Sequence, residues 1–567
     1  MQGMSWQERA AAKRDQQLEA VPREWVLKNL PETTQLDVSE FPKACQFLSG
    51  SEMKITESPV DVLLMNLTKG TWTAVEVTIA FSKRAIIAHQ LVNCLTEIFI
   101  NSALTRAAGL DDHLRRTGSV VGPLHGLPIS LKDQVGIKGL DATMGFVSNI
   151  GSPSTKNSVL ADILENLGAV LYVKTNVPQG CMWGETYNYI FGRTLNPFNR
   201  SLTAGGSSGG EGALIALIGS PLGVGSDLGG SIRIPAAFNG VYGLRPSFNR
   251  IPYAGCVNTY EGQNSVLSVM GPMSMSMEGI RLFMKSVLMM KPWQYDPLVI
   301  RKQWNEDEYH LVDYNLGKEL CFAVLWDDGE TVPHPPVMRG LEVTKQALVQ
   351  AGHKVIDWKP IRHSEINQVA GKIWSAVGDA ELEAITANSG EPIIGTMETS
   401  IEDLSTISEP MHRWPPVSLT AFEYWQVNAK QRELRQLYLD HWRETVSVTG
   451  TGRPIDAIIA PVAPYVAPPH GGHIYPGYTC VWNFLDYPAC VVPLGLKVDP
   501  LLDVKTPRDS FHNDADQKNW ESYDPDVYKN APIAIQVVGR TLEDEAVVGI
   551  SEIVDRALKT YQSATKA

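Results

Sequence analysis

The stretch LTAGGSSGGEGALIALIGSPLGVGSDLGGSIRIPAAFNGVYGLRP, residues 202–246, places two glycine-rich turns on either side of a short apolar run. The first turn is GGSSGG at 205–210 and the second is GSDLGGS at 225–231. Folded chains keep glycine where the backbone needs unusual dihedral angles or a close approach. Amide N–H groups in such turns point into a concavity that suits a developing negative charge. Ser231 precedes a short predicted helix over 232–238, whose first N–H groups favour an anion.

Neither a linker nor a phosphate loop fits this stretch. A single GGSSGG is compatible with a linker, but two such turns, with Asp227 and Arg233 at the second, argue against one. The glycines follow neither G-x-x-x-x-G-K-[ST] nor G-x-G-x-x-G spacing, which phosphate-binding loops use. We therefore interpret the two turns as parts of one site.

Composition narrows the class of protein. The 567 residues carry a formal charge of −13, with 44% hydrophobic and 20% charged residues, as is typical of a globular protein. No basic run occurs, which argues against a nucleic-acid partner because phosphate binding needs a basic patch. Seven cysteines without a C-x-x-C pair indicate reduced thiols. With no secretory leader and no apolar run of about 18 residues, we expect a cytoplasmic protein without a transmembrane segment.

The pattern of elements predicts an α/β fold. A strand at 319–325, a helix at 336–351 and a strand at 353–358 form a β-α-β unit. We expect a helical arm over 1–55 and one large body over 56–567, in which 499–530 is a polar surface loop. Other helices are predicted over 60–67, 73–95, 103–116, 158–167, 420–446 and 543–558, and other strands over 170–174, 456–460, 489–493 and 533–538.

A serine nucleophile needs a base, and the familiar Ser-His-Asp arrangement fits poorly. G-x-S-x-G occurs at 205–209 and 206–210, but in α/β-hydrolases this turn follows a hydrophobic strand. Here residues 196–203, NPFNRSLT, precede it and read as a loop. None of the twelve histidines has the setting of a triad member, and His470 and His473 lack a third metal ligand. We expect no metal site.

The two turns resemble the defining motif of the amidase signature family, with GGSSGGEGA and GSDLGGSIRIP both present. GLPISLKD at 126–133 is similar to that family's lysine motif. Further similar stretches are YVKTNVPQ at 172–179, GRTLNP at 192–197 and AIQVVGR at 534–540, so the resemblance covers about residues 55–560. SWQER near the N-terminus, Phe41-Pro-Lys and Tyr253-Ala resemble the fungal acetamidase-like branch. The resemblance implies a single body whose central mixed, twisted sheet is covered by helices on both faces.

The resemblance also implies a Ser–cis-Ser–Lys triad. Carried over by motif, Ser231 is the nucleophile, Ser207 the bridging serine after a cis bond from Gly206, and Lys132 the base. The implied oxyanion hole consists of the backbone N–H groups of Leu228, Gly229, Gly230 and Ser231. The residues implied to hold the turns together are Ser208, Asp227 and Arg233.

The chemistry of Lys132 decides between two interpretations of its motif. A free lysine has a pKa of about 10.4 and is no base at neutral pH. On residues alone, a surface lysine or an ion pair with Asp133 is the simpler interpretation. Burial lowers a lysine pKa, and Ile129, Leu131 and Val135 would supply apolar surroundings. A neutral Lys132 could then take a proton through the bridging serine.

The resemblance implies hydrolysis of carboxylic acid amides to a carboxylate and ammonia or an amine, through an acyl-enzyme and without a cofactor. Small aliphatic or aryl amides are the expected substrates, and a homodimer is the expected assembly. We expect the substrate-binding wall to include Ser207 together with Cys181, Met182 and Trp482, although core packing explains the last three equally well. Hydrolases of fatty amides, lactams or esters remain alternatives. An amidotransferase subunit that acts in a complex is a further one, disfavoured by the arm and by the inserts after Pro246.

Overall fold

A mixed eleven-stranded sheet forms the centre of the molecule, and a separate pair of short strands lies beside it. The computed structural model describes residues 3–397 and 418–566. Its strands are β1 (Leu95–Ile98), β2 (Pro128–Lys132), β3 (Val170–Thr175), β4 (Tyr187–Asn188), β5 (Gly192–Arg193), β6 (Leu222–Asp227), β7 (Tyr242–Arg245), β8 (Val269–Ser274), β9 (Cys321–Val324), β10 (Lys354–Asp357), β11 (Ala457–Ala460), β12 (Ala489–Lys497) and β13 (Pro532–Val538).

Helices connect and cover these strands. They are α1 (Trp6–Glu19), α2 (Phe41–Ala44), α3 (Gly50–Thr56), α4 (Val60–Thr68), α5 (Ala74–Val92), α6 (Ile100–Thr117), α7 (Val159–Asn166), α8 (Gly209–Ala216), α9 (Arg233–Phe238), α10 (Met277–Met289), α11 (Glu306–Tyr309), α12 (Pro335–Gln350), α13 (His363–Trp374), α14 (Ala380–Ala387), α15 (Ala421–Glu444), α16 (Val446–Thr449), α17 (Gly477–Leu485), α18 (Asp514–Ser522) and α19 (Asp544–Lys566). Among these helices, none is both long enough and apolar enough to cross a membrane.

The sheet combines parallel and antiparallel pairs in the order β1-β3-β2-β6-β8-β7-β12-β13-β11-β9-β10. Near one end, β2 lies between β3 and β6 and runs parallel to both. Near the other end, β9 runs parallel to β10 and β11. Antiparallel strands join these two parallel groups. Because parallel strands end at the same edge, residues at the ends of β2, β3 and β6 come together.

Both faces of the sheet are buried. In β11, Ala457 and Ile459 pack into the larger apolar cluster, whereas Ile458 and Ala460 pack into the second cluster on the opposite face. Alternate residues of a strand point to opposite faces, so this division requires a helical layer on each side. The expectation of an α/β fold with helices on both faces is confirmed.

Two expectations about local structure were wrong. The helix expected over 73–95 ends at Val92, because Asn93 adopts the left-handed conformation (φ 54°) and the chain enters β1. The segment 499–530 is not only a loop: it contains α18, whose Asp516 is fully buried. Asp516 accepts a hydrogen bond from the backbone N–H of Val332 at 3.0 Å, which ties this segment to the body.

The N-terminal helix α1 lies against the edge of the sheet. Lys13 is buried, with its Nζ 2.5 Å from a carboxylate oxygen of Glu97 and 2.9 Å from one of Asp141. The Gln17 amide donates to the carbonyls of Leu95 and Thr96 at 2.8 and 3.0 Å. This helix therefore covers β1 through polar contacts.

Candidate active site

The two glycine-rich turns lie at the edge where three parallel strands end. Lys132 is the last residue of β2, and Ser226 and Asp227 end the neighbouring β6. Ser207 lies just before α8, which begins at Gly209. In open α/β sheets, ligands bind outside the carboxyl ends of the strands, so this edge is where a site is expected.

Lys132 is fully buried and contacts two hydroxyl groups. Its Nζ lies 2.7 Å from Ser207 Oγ and 2.7 Å from Ser226 Oγ. Burial lowers the pKa of Lys132 below its ordinary value of 10.5, since an ammonium loses its hydration there. Lys132 is therefore not a surface lysine.

Asp133 is occupied by other partners and forms no ion pair with Lys132 among the described residues. Its carboxylate accepts hydrogen bonds from the Thr96 hydroxyl at 2.8 Å, the Thr143 hydroxyl at 3.0 Å and the Met144 N–H at 2.7 Å. The alternative in which Asp133 pairs with the neighbouring lysine is thus wrong.

Ser226 was not singled out from the sequence, yet it is the second partner of the lysine. Its hydroxyl donates to Gln134 Oε1 at 2.6 Å. The Gln134 amide donates from Nε2 to the backbone carbonyl of Val257 at 2.9 Å and to the Tyr253 hydroxyl at 2.7 Å. A carbonyl can only accept, so Val257 fixes which way the Gln134 amide faces. The Ser226 hydroxyl must then accept from Lys132.

The first turn packs tightly against the segment 183–185. A Cβ on Gly206 would lie 2.6 Å from backbone atoms of Trp183 and Glu185, so only glycine fits there. The Gly206–Ser207 peptide bond is cis, as the resemblance implied. This backbone presents the Ser207 hydroxyl to Lys132.

An ion pair holds the second turn. Asp227 accepts from Arg233 Nε and Nη2, both at 3.0 Å, and from the Asn483 amide at 2.8 Å, and all three residues are fully buried. Burial alone would raise the pKa of Asp227, but the charge and hydrogen bonds of Arg233 hold it below its usual value. The Ser208 hydroxyl joins the two turns, donating to the Ser226 carbonyl and accepting from the Ser226 N–H, both at 3.3 Å.

Of the four expected oxyanion donors, Gly230 differs from the rest. Its N–H donates to Asp227 Oδ1 at 2.8 Å, so it is not free to donate to a substrate. Within residues 3–397 and 418–566, no acceptor is recorded for the N–H groups of Leu228, Gly229 and Ser231. We therefore correct the expectation: Gly230 shapes the turn, and three N–H groups remain available.

A cavity of about 510 Å³ opens beside this turn. Ser231, Leu228 and Gly229 line it, and so do Cys181 and Met182, which were expected in the wall. Burial raises the pKa of the Cys181 thiol to about 11, and its side chain lies near Ser207. The thiol therefore stays protonated beside the lysine.

Two residues expected to bind substrate do not line this cavity. Trp482 is fully buried and packs edge-to-face on Tyr438 and His363, with its ring nearly parallel to that of Tyr487. It is thus part of the apolar core of the second cluster. Ser207 is only 1% exposed and lies behind the cavity wall, against Lys132.

Ser207 and Ser231 are joined through their neighbours. The Ser208 N–H donates to the Ser231 carbonyl at 3.1 Å, which holds the two turns in contact. No hydrogen bond between the Ser207 and Ser231 hydroxyls is recorded among the described residues. Catalytic hydrogen bonds are often long without substrate and tighten in the complex.

Much of the remaining cavity wall comes from distant segments that the sequence did not reveal. Trp374 ends α13, and residues 395–397 follow α14. The 395–397 segment is anchored by Arg193 Nη2, which donates to the Met397 carbonyl at 2.6 Å, and by the Ile394 N–H, which donates to the Gln179 amide oxygen at 2.8 Å. These contacts join residues that are 204 and 215 positions apart in the sequence, so no local pattern could have predicted them.

His473, considered as a metal ligand, also lines the cavity. Its ring packs edge-to-face on Phe238 and Tyr465 at 5.7 Å, and burial lowers its pKa to about 4. In the part of the chain that the structure describes, no three histidine, cysteine or acidic side chains come together as a metal site would require. The ring is a neutral wall residue.

The chain is similar over most of its length to known amidases. The family model "Amidase" matches residues 76–548. An acetamidase of Aspergillus oryzae is 42% identical over 559 residues, which is 98% of this chain and 100% of that protein. An acetamidase of Emericella nidulans is also 42% identical, with 98% of each chain covered. Among solved structures, a fatty acid amide hydrolase superposes with a TM-score of 0.87 at 31% identity, covering 97% of this chain and 95% of that one.

Proposed function

The chain belongs to the amidase signature family and hydrolyses carboxylic acid amides, and we propose that Ser231 is its nucleophile, Ser207 its proton relay and Lys132 its base. The observation that carries this assignment is the position of Lys132 Nζ, which is buried and 2.7 Å from both Ser207 Oγ and Ser226 Oγ. An amine held away from water between two hydroxyls can exchange a proton with one of them.

The hydrogen bonds around Lys132 give the proton transfer a direction. The Ser226 hydroxyl donates its hydrogen bond to Gln134 Oε1, so the Ser226 oxygen accepts one N–H of Lys132. A neutral amine has two N–H groups and one lone pair. With one N–H given to Ser226, the lone pair can face Ser207 and accept its proton. Ser226 and Gln134 thus act as positioning residues for the base.

The proposed reaction follows from this arrangement. Ser207 gives its proton to Lys132 and takes the proton of Ser231, whose Oγ attacks the amide carbonyl. The oxyanion lies among the N–H groups of Leu228, Gly229 and Ser231, which are fixed in place before reaction. The proton returns through Ser207 to the leaving nitrogen as the C–N bond breaks. Water then hydrolyses the acyl-enzyme by the same relay, using only groups of this chain.

We propose small aliphatic or aryl amides as substrates, with ammonia as the leaving group. The acetamidases, similar over 98% of the chain, support this choice, and the cavity of about 510 Å³ accommodates molecules of this size. We further propose a cytoplasmic homodimer with a helical arm over 1–55 and a catalytic body over 56–567. Seven free cysteines support the cytoplasmic location, and size-exclusion chromatography with light scattering tests the homodimer.

The test measures hydrolysis of a panel of amides by the purified chain, from acetamide through phenylacetamide to long-chain amides. The released ammonia is the readout. Ser231→Ala should abolish turnover, and an organophosphonate should label Ser231 alone. Ser220→Ala is the matched control, because Ser220 is a buried serine at the opposite end of β6 and donates to the Leu222 carbonyl. Turnover by Ser231→Ala, or labelling of another serine, would refute the assignment.

A further inference from the structure

Trp374 lies between two cavities. One is the cavity of about 510 Å³ that Ser231 lines, and the other measures about 550 Å³. Within residues 3–397 and 418–566, Trp374 is the one residue that lines both. Most of the wall of the second cavity is aromatic or aliphatic, including Ile373, Val377, Leu419 and Tyr424, and its polar members are Glu261, Gln263 and Glu381.

The indole ring lies beside the turn that carries the nucleophile. A Cβ placed on Gly229 would be 3.6 Å from Trp374 Cη2. Gly229 is one of the three residues whose N–H groups would receive the substrate carbonyl, so the ring limits the space next to the reacting carbon. The same residue also contributes to the wall of the second cavity.

Among the residues that the structure describes, packing alone holds the ring in place, since the buried indole Nε1 has no hydrogen-bond partner there. The backbone beyond it is fixed separately, since the Leu419 N–H donates to the Ala376 carbonyl at 2.8 Å. Removing the ring therefore breaks no hydrogen bond and leaves that anchor of the helix end intact.

We propose that Trp374 sets the length of the acyl group that this enzyme accepts, by closing the active-site cavity against a second apolar cavity. The proposal rests on the amide hydrolysis proposed above. When the leaving group is ammonia, a longer substrate can be longer only on its acyl side. Without the indole ring, an acyl chain can pass from Ser231 into the second cavity and bury its methylenes there.

The expected gain follows from the burial of methylene groups. Burial contributes roughly the same free energy for each methylene of a chain. That free energy corresponds to binding that is about fourfold stronger for each buried CH₂. In the wild type, kcat/KM should stop rising once the chain reaches Trp374. In Trp374→Ala it should continue to rise about fourfold per added methylene, until the second cavity is filled.

The experiment measures kcat/KM for the linear amides from acetamide to decanamide. Trp374→Ala and the milder Trp374→Leu are compared with the wild type, and circular dichroism checks that each variant folds. Trp425→Ala is the matched control, because Trp425 is a tryptophan of α15 that is 66% exposed and lines neither cavity. The double variant Trp374→Ala/Ala421→Phe refills the second cavity, whose wall includes Ala421, and should cancel the gain.

A second readout separates this proposal from the catalytic one. The Kd values of linear carboxylates from acetate to decanoate are measured by calorimetry in the wild type and in Trp374→Leu, and need no turnover. If no amide is hydrolysed but Trp374→Leu tightens octanoate binding, the substrate assignment fails and the role of Trp374 stands. If amides are hydrolysed but the chain-length profiles of both Trp374 variants match the wild type, the role of Trp374 is refuted and the catalytic assignment stands.

Discussion

The ends of β2 and β3 each bury a lysine, and the two lysines differ in their partners. Lys132 and Lys174 are both fully buried, and burial lowers the pKa of each. Lys132 contacts two hydroxyls, Ser207 and Ser226. Lys174 donates at 2.7 Å to the backbone carbonyl of Asp141, which can only accept.

This difference shows that burial alone does not make a lysine a base. A hydroxyl both donates and accepts, so a proton can move between it and an amine. A carbonyl oxygen has no proton to give, so Lys174 can only be a donor in its contact. Negative groups partly oppose the effect of burial on the pKa of both lysines, so the contact partners and not the surrounding charge distinguish the two. We therefore assign the chemistry to Lys132 and a structural role to Lys174.

The largest expected effect is the loss of activity in Lys132→Met. Proton transfer by a positioned side chain contributes roughly 10²–10⁴-fold, so kcat/KM should fall by about 10³. The residual rate should rise with hydroxide concentration, because hydroxide then takes the proton. Steady-state kinetics between pH 6 and 10 measure this. Wild-type rates in Lys132→Met would contradict the assignment of the base to Lys132.

A smaller change is expected from Gln134→Glu, which places a carboxylate next to Ser226. A negative charge favours the ammonium form and so raises the pKa of Lys132. Less of the enzyme is then active at neutral pH, and kcat/KM should fall about tenfold there for a shift of one unit. The loss should disappear at higher pH. A uniform loss at every pH would mean that Gln134 acts only on the fold.

Lys174→Met should change stability more than activity. Losing a charged hydrogen bond to the Asp141 carbonyl should lower the free energy of unfolding by about 2 kcal/mol, measured by urea denaturation. Its kcat/KM should stay within about threefold of the wild type, because Lys174 is given no part in the proton transfer. A loss of activity as large as that of Lys132→Met, in a folded protein, would contradict our assignment.

The last prediction concerns the pH dependence of stability at Glu211, which accepts hydrogen bonds from Ser130 of β2 and Thr175 of β3. Burial raises the pKa of Glu211 to about 8, although hydrogen bonds from Ser130 and Thr175 and the charge of Lys132 oppose this. The folded state then keeps a proton that the unfolded state loses above its ordinary pKa of 4.5. Stability from this group is complete below that value and declines as the pH rises through about 8, by at most about 1.4 kcal/mol per pH unit.

Glu211→Gln keeps the shape of the side chain and removes this titration. The free energy of unfolding of the variant, relative to that of the wild type, should therefore increase as the pH rises from 5 to 8. Urea denaturation at four pH values gives the two curves. Parallel curves would show that Glu211 is already ionised in the folded protein at neutral pH.

Local signals in the sequence predicted the α/β class, because hydrophobic strands alternate with helices. The mixed central sheet and the roles of the motif residues were implied only by the family resemblance, which rests on glycine turns that carry their serines at fixed spacing. The resemblance also implied that the Gly230 N–H is free. That expectation failed because Asp227 takes the N–H, and a turn's hydrogen bonds depend on side chains that fold back onto it.

The cavity could not be predicted from local patterns. Trp482 belongs to an apolar helix segment and packs into the core, whereas Trp374 ends an amphipathic helix and reaches the cavity. Both tryptophans lie on helices that pack against each other, α13 and α17, and this packing decides which ring lines the cavity. Ser226 was missed for a similar reason: its role depends on Gln134, which lies on another strand end.

The most direct test of the central claim is the rate at which an organophosphonate labels Ser231 as a function of pH. The wild-type rate should rise through one ionisation below the ordinary lysine pKa of 10.5 and then level off. Lys174→Met should keep this profile and Lys132→Met should lose it, with a much lower rate. A Lys132→Met profile that coincides with the wild type would contradict the account, because the base would then be another group.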